Sequence, residues 1–103
     1  MTVEQIKEFV NGVDPEAKHY FTVLDGDSYT VWAETEMLGL DADNYDAEEG
    51  WAFEIVRYTQ SEFDEVAEKI KNALRESTLI SFSYRVDCEP DIGYISHTFS
   101  CQA

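Results

Sequence analysis

Basic residues are scarce in this chain. Seven lysines and arginines stand against 22 aspartates and glutamates in 103 residues, which gives a formal net charge of −15. Direct binding of DNA, RNA or an anionic membrane through a basic patch is therefore not expected, because such binding depends on clustered positive charge. A basic protein surface is the more natural partner, and solubility alone is the other explanation of the acidity.

Long apolar runs are also missing. No stretch approaches the roughly 20 apolar residues of a transmembrane helix, and the first residues lack the basic and apolar regions of a signal peptide. At 44% hydrophobic and 14% aromatic residues, the chain is nevertheless apolar enough to fold, unlike most strongly charged disordered segments. We expect one cytoplasmic domain over residues 1–103.

Cysteine and histidine, two of each, are too few for the common catalytic and metal-binding arrangements. Cys88 and Cys101 fall near opposite ends of a predicted hairpin, about 26 Å apart, which is too far for a disulfide. We therefore expect free thiols, with Cys101 packed as a small hydrophobe. His97 is expected at the core or its rim, hydrogen-bonded opposite Tyr84. It shares a strand face with Cys101, but no third group orients the two as a nucleophile pair.

No zinc spacing and no phosphate-binding glycine loop occurs in the sequence. Without a positioned nucleophile or acid–base pair, we predict that the protein is not an enzyme and that it needs no cofactor.

The strongest secondary-structure signal is a helix over residues 62–76. Ser61 and Asp64 have the spacing of an acidic capping box, and acids precede bases along the segment, as the helix dipole favours. Apolar residues recur on one predicted face, which we expect to pack on a sheet. The residues of this stripe are Phe63, Val66, Ala67, Ile70 and Leu74.

Strands flank this helix on both sides. Apolar and polar residues alternate from Trp51 to Arg57, with Phe53 and Ile55 on the face of Trp51, and alternate again from Ile80 to Val86. Period-two alternation indicates half-buried strands with one wet face, which favours a largely antiparallel sheet.

The final two strands form a predicted hairpin whose loop is Glu89–Ile92. This loop places apolar residues opposite each other across the hairpin, and Pro90 and Asp91 suit the centre of a turn. The expected pairs are Val86 with Ile95, Phe82 with Phe99, and Ile80 with Cys101.

The first third of the chain predicts a helix over about 3–11, opened by a capping box of Thr2 and Gln5. A hairpin of His19–Leu24 with Ser28–Glu34 follows. We assign it a three-residue loop, Asp25-Gly26-Asp27, because that loop gives one coherent apolar face. The face would consist of Phe21, Val23, Tyr29, Val31 and Ala33.

These elements follow the order α-β-β-β-α-β-β. The predicted fold class is α+β, a largely antiparallel five-stranded sheet with two helices packed on one face. Strand order within the sheet is not predicted.

The negative charge is concentrated in residues 25–49, which hold nine acids and no base. We predict these acids as the binding residues. They are Asp25, Asp27, Glu34, Glu36, Asp41, Asp43, Asp46, Glu48 and Glu49. The spacing of Asp41 and Asp43 is that of a calcium loop, but Tyr45 and Asp46 occupy positions that need a short oxygen ligand and a glycine, so no metal site is expected.

The sequence thus predicts a small acidic protein-binding domain that docks on a basic site of another protein. An inhibitor or nucleic-acid mimic of the phage or mobile-element type would have this size and charge, with a nucleic-acid-binding protein or nuclease as its partner. The alternative is a structural or assembly subunit that uses exposed aromatic residues as contacts. Its expected contacts are Trp32, Tyr45 and Tyr58.

Overall fold

A computed structural model describes residues 1–21, 26–38 and 50–103 of the chain. The elements, in chain order, are α1 (Val3–Val13), β1 (Lys18–His19), β2 (Ser28–Met37), β3 (Trp51–Thr59), α2 (Glu65–Glu76), β4 (Ser81–Glu89) and β5 (Tyr94–Gln102). The predicted α+β class is confirmed, with two helices and a five-stranded, mostly antiparallel sheet. The sheet is mixed rather than wholly antiparallel, because β1 pairs with β2 in parallel.

The strands lie in the order β1-β2-β3-β5-β4. Strand β5 is antiparallel to both of its neighbours, so β3 and β4 run parallel to each other with β5 between them. Parallel strands need a crossover connection, and α2 supplies it. Strands β1 and β4 form the two edges of the sheet.

Both helices cover the same face of the sheet, and their apolar residues join those of the strands in one core. Of the predicted helical stripe, Ile70 and Leu74 are buried, as are Phe53 and Ile55 of the predicted strand. The buried side chains of this core are Ile6, Val10, Trp32, Phe53, Ile55, Ile70, Leu74, Ile80, Phe99 and Cys101.

Helix α2 begins later than predicted. Asp64, not Ser61, is the N-cap, and its carboxylate accepts a hydrogen bond from the Ala67 N–H at 3.0 Å. The same carboxylate accepts one from Arg57 Nε at 2.9 Å, which holds Asp64 at the helix start. Phe63 therefore precedes the helix and is 88% exposed, so its predicted burial is wrong.

Helix α1 opens as predicted, because Thr2 and Gln5 form both bonds of the capping box, at 3.2 and 2.8 Å. It continues to Val13 instead of ending at about residue 11. The residue before a proline disfavours helical geometry, and Asp14, which precedes Pro15, is extended at φ −135° and ψ 99°.

The predicted first hairpin is wrong. Strand β1 is only two residues long and pairs in parallel with β2, Lys18 opposite Val31 and His19 opposite Trp32. Tyr20 follows with a left-handed φ of 72°, which turns the chain out of the strand. Residues 22–25, which include part of the predicted loop, lie outside the described residues.

The face assigned to β2 is also reversed. Trp32 is 1% exposed and Thr30 is 2% exposed, so these residues face the core, while Tyr29, Val31 and Ala33 face the other side. Counting apolar residues on each face favoured the wrong side. Burial energy follows buried area, and one tryptophan outweighs smaller side chains.

The β4–β5 hairpin has its predicted faces but a register shifted by two residues. Val86 lies opposite His97, and Phe82 lies opposite Cys101. A two-residue shift keeps every side chain on its face, so the apolar pattern cannot detect it. The loop closes instead at Gly93, which has a φ of 75° and donates its N–H to the Glu89 carbonyl at 3.0 Å.

Candidate protein-binding surface

The helices leave one side of the sheet uncovered, and we call this side the open face. On it, pairing between β2 and β3 sets Tyr29 opposite Tyr58, and Val31 opposite Val56. Further along the same strands, Ala33 and Glu54 lie opposite each other. The large apolar residues Trp32, Phe53 and Ile55 of these two strands face the core. The open face therefore carries a different set of side chains.

Three tyrosines from three strands meet on this face, and we call them the tyrosine cluster. The rings of Tyr29 and Tyr58 stack with their centroids 4.8 Å apart. Tyr94 of β5 meets them edge-on, at 5.7 and 6.4 Å. Tyr94 is buried, and its hydroxyl donates to the Gly26 carbonyl at 2.9 Å. Tyr94 therefore forms a fixed floor, while Tyr29 and Tyr58 remain half-exposed.

Carboxylates surround the tyrosine cluster. Burial raises the pKa of Tyr58 above its ordinary value of 10.0, and the negative charges of Glu89 and Glu54 raise that pKa further. Burial is also the largest cause that raises the pKa of Tyr29, and electrostatic interactions with Tyr58, Tyr94 and Glu89 raise that pKa further. Neither glutamate forms an ion pair with any described residue. On the three central strands, the open face therefore presents neutral hydroxyls and carboxylates without ion pairs, whereas Lys18 of β1 and Arg85 of β4 lie on the same face in the edge strands.

A shallow groove of about 330 Å³ on this face is lined by Tyr29, Tyr58 and Glu54. Its floor includes Val31 and Val56, with Tyr58 toward one end and Glu54 toward the other, and Tyr20 and Phe21 border it. An apolar floor with aromatic rings and one carboxylate matches a lysine or arginine side chain, whose stem is apolar and whose head is a cation.

Glu34, one of the predicted binding residues, holds the short edge strand in place. Its carboxylate contacts His19 Nε2 at 2.6 Å and accepts a hydrogen bond from the Tyr20 hydroxyl. The His19 ring also stacks on the Trp32 ring, with centroids 3.9 Å apart. The Glu34 carboxylate is therefore engaged in contacts within the protein, with His19 and Tyr20.

The other predicted acids do not gather at one place in the described chain. Asp27 is exposed just before β2, and Glu36 is exposed near the far end of that strand. The remaining six lie outside the described residues. These six are Asp25, Asp41, Asp43, Asp46, Glu48 and Glu49. The structure adds Glu54 and Glu89, which the sequence analysis did not select.

Glu54 forms no ion pair within the described chain, and Arg57, the only base in its strand, faces the opposite side. Arg57 is 8% exposed and donates to Asp64 at 2.9 Å and to the Thr30 hydroxyl at 3.2 Å. Its Nη1 lies 3.8 Å from Asp14. In the sequence, the one signal for this contact of Arg57 with Asp64, Thr30 and Asp14 was a charged residue at a core-facing position of the strand.

Arg57 determines how Asp64 titrates. Burial alone would raise the pKa of the Asp64 carboxyl. Hydrogen bonds from Arg57 and from the Ala67 N–H, together with the Arg57 charge, outweigh it and hold the pKa below its ordinary 3.8. Asp64 is thus a charged structural group at neutral pH.

The predicted burial of His97 and Cys101 and the predicted hydrogen bonding of His97 are confirmed, but His97 lies opposite Val86 and not, as predicted, opposite Tyr84. His97 is buried, and its Nδ1 lies 2.7 Å from the Tyr84 hydroxyl. Cys101 is a free thiol within the core, and burial raises its pKa to about 12. Because the thiolate is the nucleophile, Cys101 is inert at neutral pH. Cys88 is free, as predicted, and it is exposed.

No metal-binding group of three or more histidine, cysteine, aspartate or glutamate residues occurs in the described part of the chain. The calcium-like spacing at Asp41, Asp43 and Asp46 falls outside it. Neither described helix has the length and apolarity that crossing a membrane requires.

No family model and no curated protein matches this chain. Its function therefore has to be inferred from the chemistry of its own surface. One contact expected for the alternative assembly function is wrong, since Trp32 is 1% exposed. Tyr58 belongs to the tyrosine cluster, and Tyr45 lies outside the described residues.

Proposed function

We propose that this protein is a small acidic, cytoplasmic binding domain that docks on a basic site of another protein through the open face of its sheet. One observation carries the proposal: half-exposed Tyr29 and Tyr58 stack beside uncompensated Glu54 and Glu89. No basic side chain lies on the open face of the three central strands β2, β3 and β5.

The partner's contact residue is best understood as an arginine. Its guanidinium can stack on the Tyr58 ring and pair with Glu54 or Glu89, while its stem lies on Val56. Cation–π contacts contribute about 0.5–2 kcal/mol each, and tyrosine and arginine dominate the energetics of protein interfaces. The net charge of −15 adds long-range attraction, which accelerates encounter with a basic partner.

Nucleic-acid-binding proteins and nucleases are the partner class that supplies such basic sites, because they neutralise phosphates with arginine and lysine. A rigid acidic domain on that site would act as a nucleic-acid mimic and inhibitor. The nine acids of residues 25–49 extend the negative field beyond the open face.

The open face can be tested with synthetic arginine-rich and lysine-rich peptides as probes, titrated at low and high salt by calorimetry. We expect Tyr58→Ala and Glu54→Gln each to weaken binding of the arginine peptide by about fivefold, which corresponds to about 1 kcal/mol. Phe63→Ala and Glu4→Gln are matched controls, because both residues are exposed but belong to the helical layer. Equal affinity for all four variants would rule out the open face as the contact surface.

The acidic segment needs a separate experiment with the natural partner, captured by copurification from the native cell. Replacing Asp41, Asp43 and Asp46 with asparagine should slow association at low salt, since electrostatic steering is lost. The melting temperature should stay the same or rise as mutual repulsion falls. An unchanged association rate across the salt range would mean that this segment only keeps the protein in solution.

A further inference from the structure

Strand β4 is a long edge strand with an open side. It spans Ser81–Glu89, pairs with β5 without a bulge and contains no proline. No described strand pairs with its outer side. Natural edge strands usually carry a bulge, a proline, charged side chains or a cover that prevents pairing with another chain. Within the described chain, β4 has only the charged side chains, at Arg85, Asp87 and Glu89. Its outer backbone groups are therefore available to a further strand.

We propose that β4 pairs antiparallel with β4 of a second copy, across a two-fold axis through Val86, to make one continuous ten-stranded sheet. Such an isologous contact requires the strand to be complementary to itself. About the proposed axis, Arg85 of each copy lies opposite Asp87 of the other, and Val86 lies opposite Val86. Tyr84 then lies opposite Cys88 on the helical side. Opposite charges and apolar residues coincide at every central pair.

Neighbouring registers lack this complementarity. A two-residue shift in one direction sets Arg85 opposite Arg85, and a shift in the other direction sets Asp87 opposite Asp87. Like charges directly opposite each other destabilise a strand pair. The charge pattern of β4 therefore selects the register centred on Val86.

The charge distribution also favours this edge for contact between two acidic copies. Residues 69–88 hold four bases and two acids, although the whole chain has a net charge of −15. Lys71 of α2 lies close to β4, since its Nζ is 5.6 Å from the centre of the Tyr84 ring. Two copies that meet at β4 thus approach through a segment that has no net negative charge.

Apolar surface at the edge supports the same contact. Tyr84 is 38% exposed and Val86 is 50% exposed, and both lie on the helical side of β4, where a second copy would cover them. The contact uses the sheet edge and leaves the tyrosine cluster free, so it does not depend on the proposed function.

Sedimentation equilibrium of the full chain tests the assembly. We expect a dimer, and we expect Arg85→Asp and Asp87→Arg each to raise its dissociation constant by about tenfold, because two like-charged pairs replace two attractive ones. The double swap should restore dimerisation. Both residues are exposed, and their ion pair within one copy spans 2.8 Å. Exposed pairs contribute little to folding, so each variant should remain folded, which circular dichroism checks.

Cysteine cross-linking tests the register. In a Cys88→Ser background, Val86→Cys should form a disulfide-linked dimer under mild oxidation, because the two side chains meet at the axis. Native Cys88 should not cross-link, since the two copies of this residue are four positions apart along the ladder, about 13 Å, which is beyond disulfide reach. Val86→Lys should give a monomer, whereas Ile92→Lys, at an exposed loop position outside the paired stretch, should not.

A wild-type protein that stays monomeric at all concentrations would overturn the proposal. So would charge-swap variants that dimerise as well as the wild type, or cross-linking through Cys88 in place of the V86C variant.

Discussion

Replacing the buried arginine of β3 should be among the most damaging single changes in this protein. Arg57→Met keeps an unbranched side chain of similar length but removes the guanidinium that binds Asp64 and Thr30 and lies near Asp14. The two carboxylates would then be buried without their cation. Removing one partner of a buried ion pair costs about 3–5 kcal/mol.

This magnitude can be compared with the stability of the whole domain. Small domains unfold with a free energy of about 5–15 kcal/mol, so the loss is a large share of the total. With a urea slope of about 2 kcal/mol per molar, a cost of 4 kcal/mol lowers the unfolding midpoint by about 2 M. Equilibrium urea unfolding at neutral pH, followed by tryptophan fluorescence, measures this shift.

A double-mutant cycle distinguishes the cost of leaving a buried carboxylate without its cation from the cost of lost packing. Asp64→Asn removes one carboxylate but keeps a good N-cap residue for α2. In the Arg57→Met background it should recover part of the lost stability, because one uncompensated charge disappears. The reasoning fails if Arg57→Met costs less than about 1 kcal/mol, or if adding Asp64→Asn brings no recovery.

Three further outcomes are expected. Leu74→Ala should cost about 2–5 kcal/mol in urea unfolding through lost burial and a cavity, while Leu79→Ala, at a site 72% exposed, should cost under about 0.5 kcal/mol. A thiol reagent should label Cys88 in the native protein and Cys101 only after unfolding, with two thiols in total; equal native rates would contradict the burial of Cys101. Burial lowers the pKa of His97 below 6.5, so the unfolded chain binds the proton more readily. The contribution of neutral His97 to the free energy of unfolding is complete above pH 6.5, and it is lost as the pH falls through the pKa of His97 in the folded state. His97→Gln should abolish this decline in stability.

Local patterns predicted much of the fold. The burial of Ile70 and Leu74 follows from helical periodicity, and that of Phe53 and Ile55 follows from strand alternation. These signals depend on neighbours only a few positions away in the chain. They failed where a distant group decides the outcome, as at Asp64, where Arg57 and the cap geometry override the apparent capping box at Ser61.

The candidate surface could not be predicted from the sequence, for a related reason. Tyr29, Tyr58 and Tyr94 belong to three strands, and they meet only because β5 pairs with β3 and β3 pairs with β2. Nothing in the periodicity of each strand reveals this order. Glu54 and Arg57 cancel in a count of charges along the chain, but positions three apart in a strand place their side chains on opposite faces.

The central position of β5 has a consequence for synthesis of the protein on the ribosome. Residues 94–102 supply Phe99 and Cys101 to the core and connect both halves of the sheet. Until they emerge, β3 has an open edge, and Phe53 and Ile55 lack part of their cover. Folding of the nascent chain should therefore remain incomplete until β5 leaves the exit tunnel, and the earlier strands are exposed to aggregation for that interval.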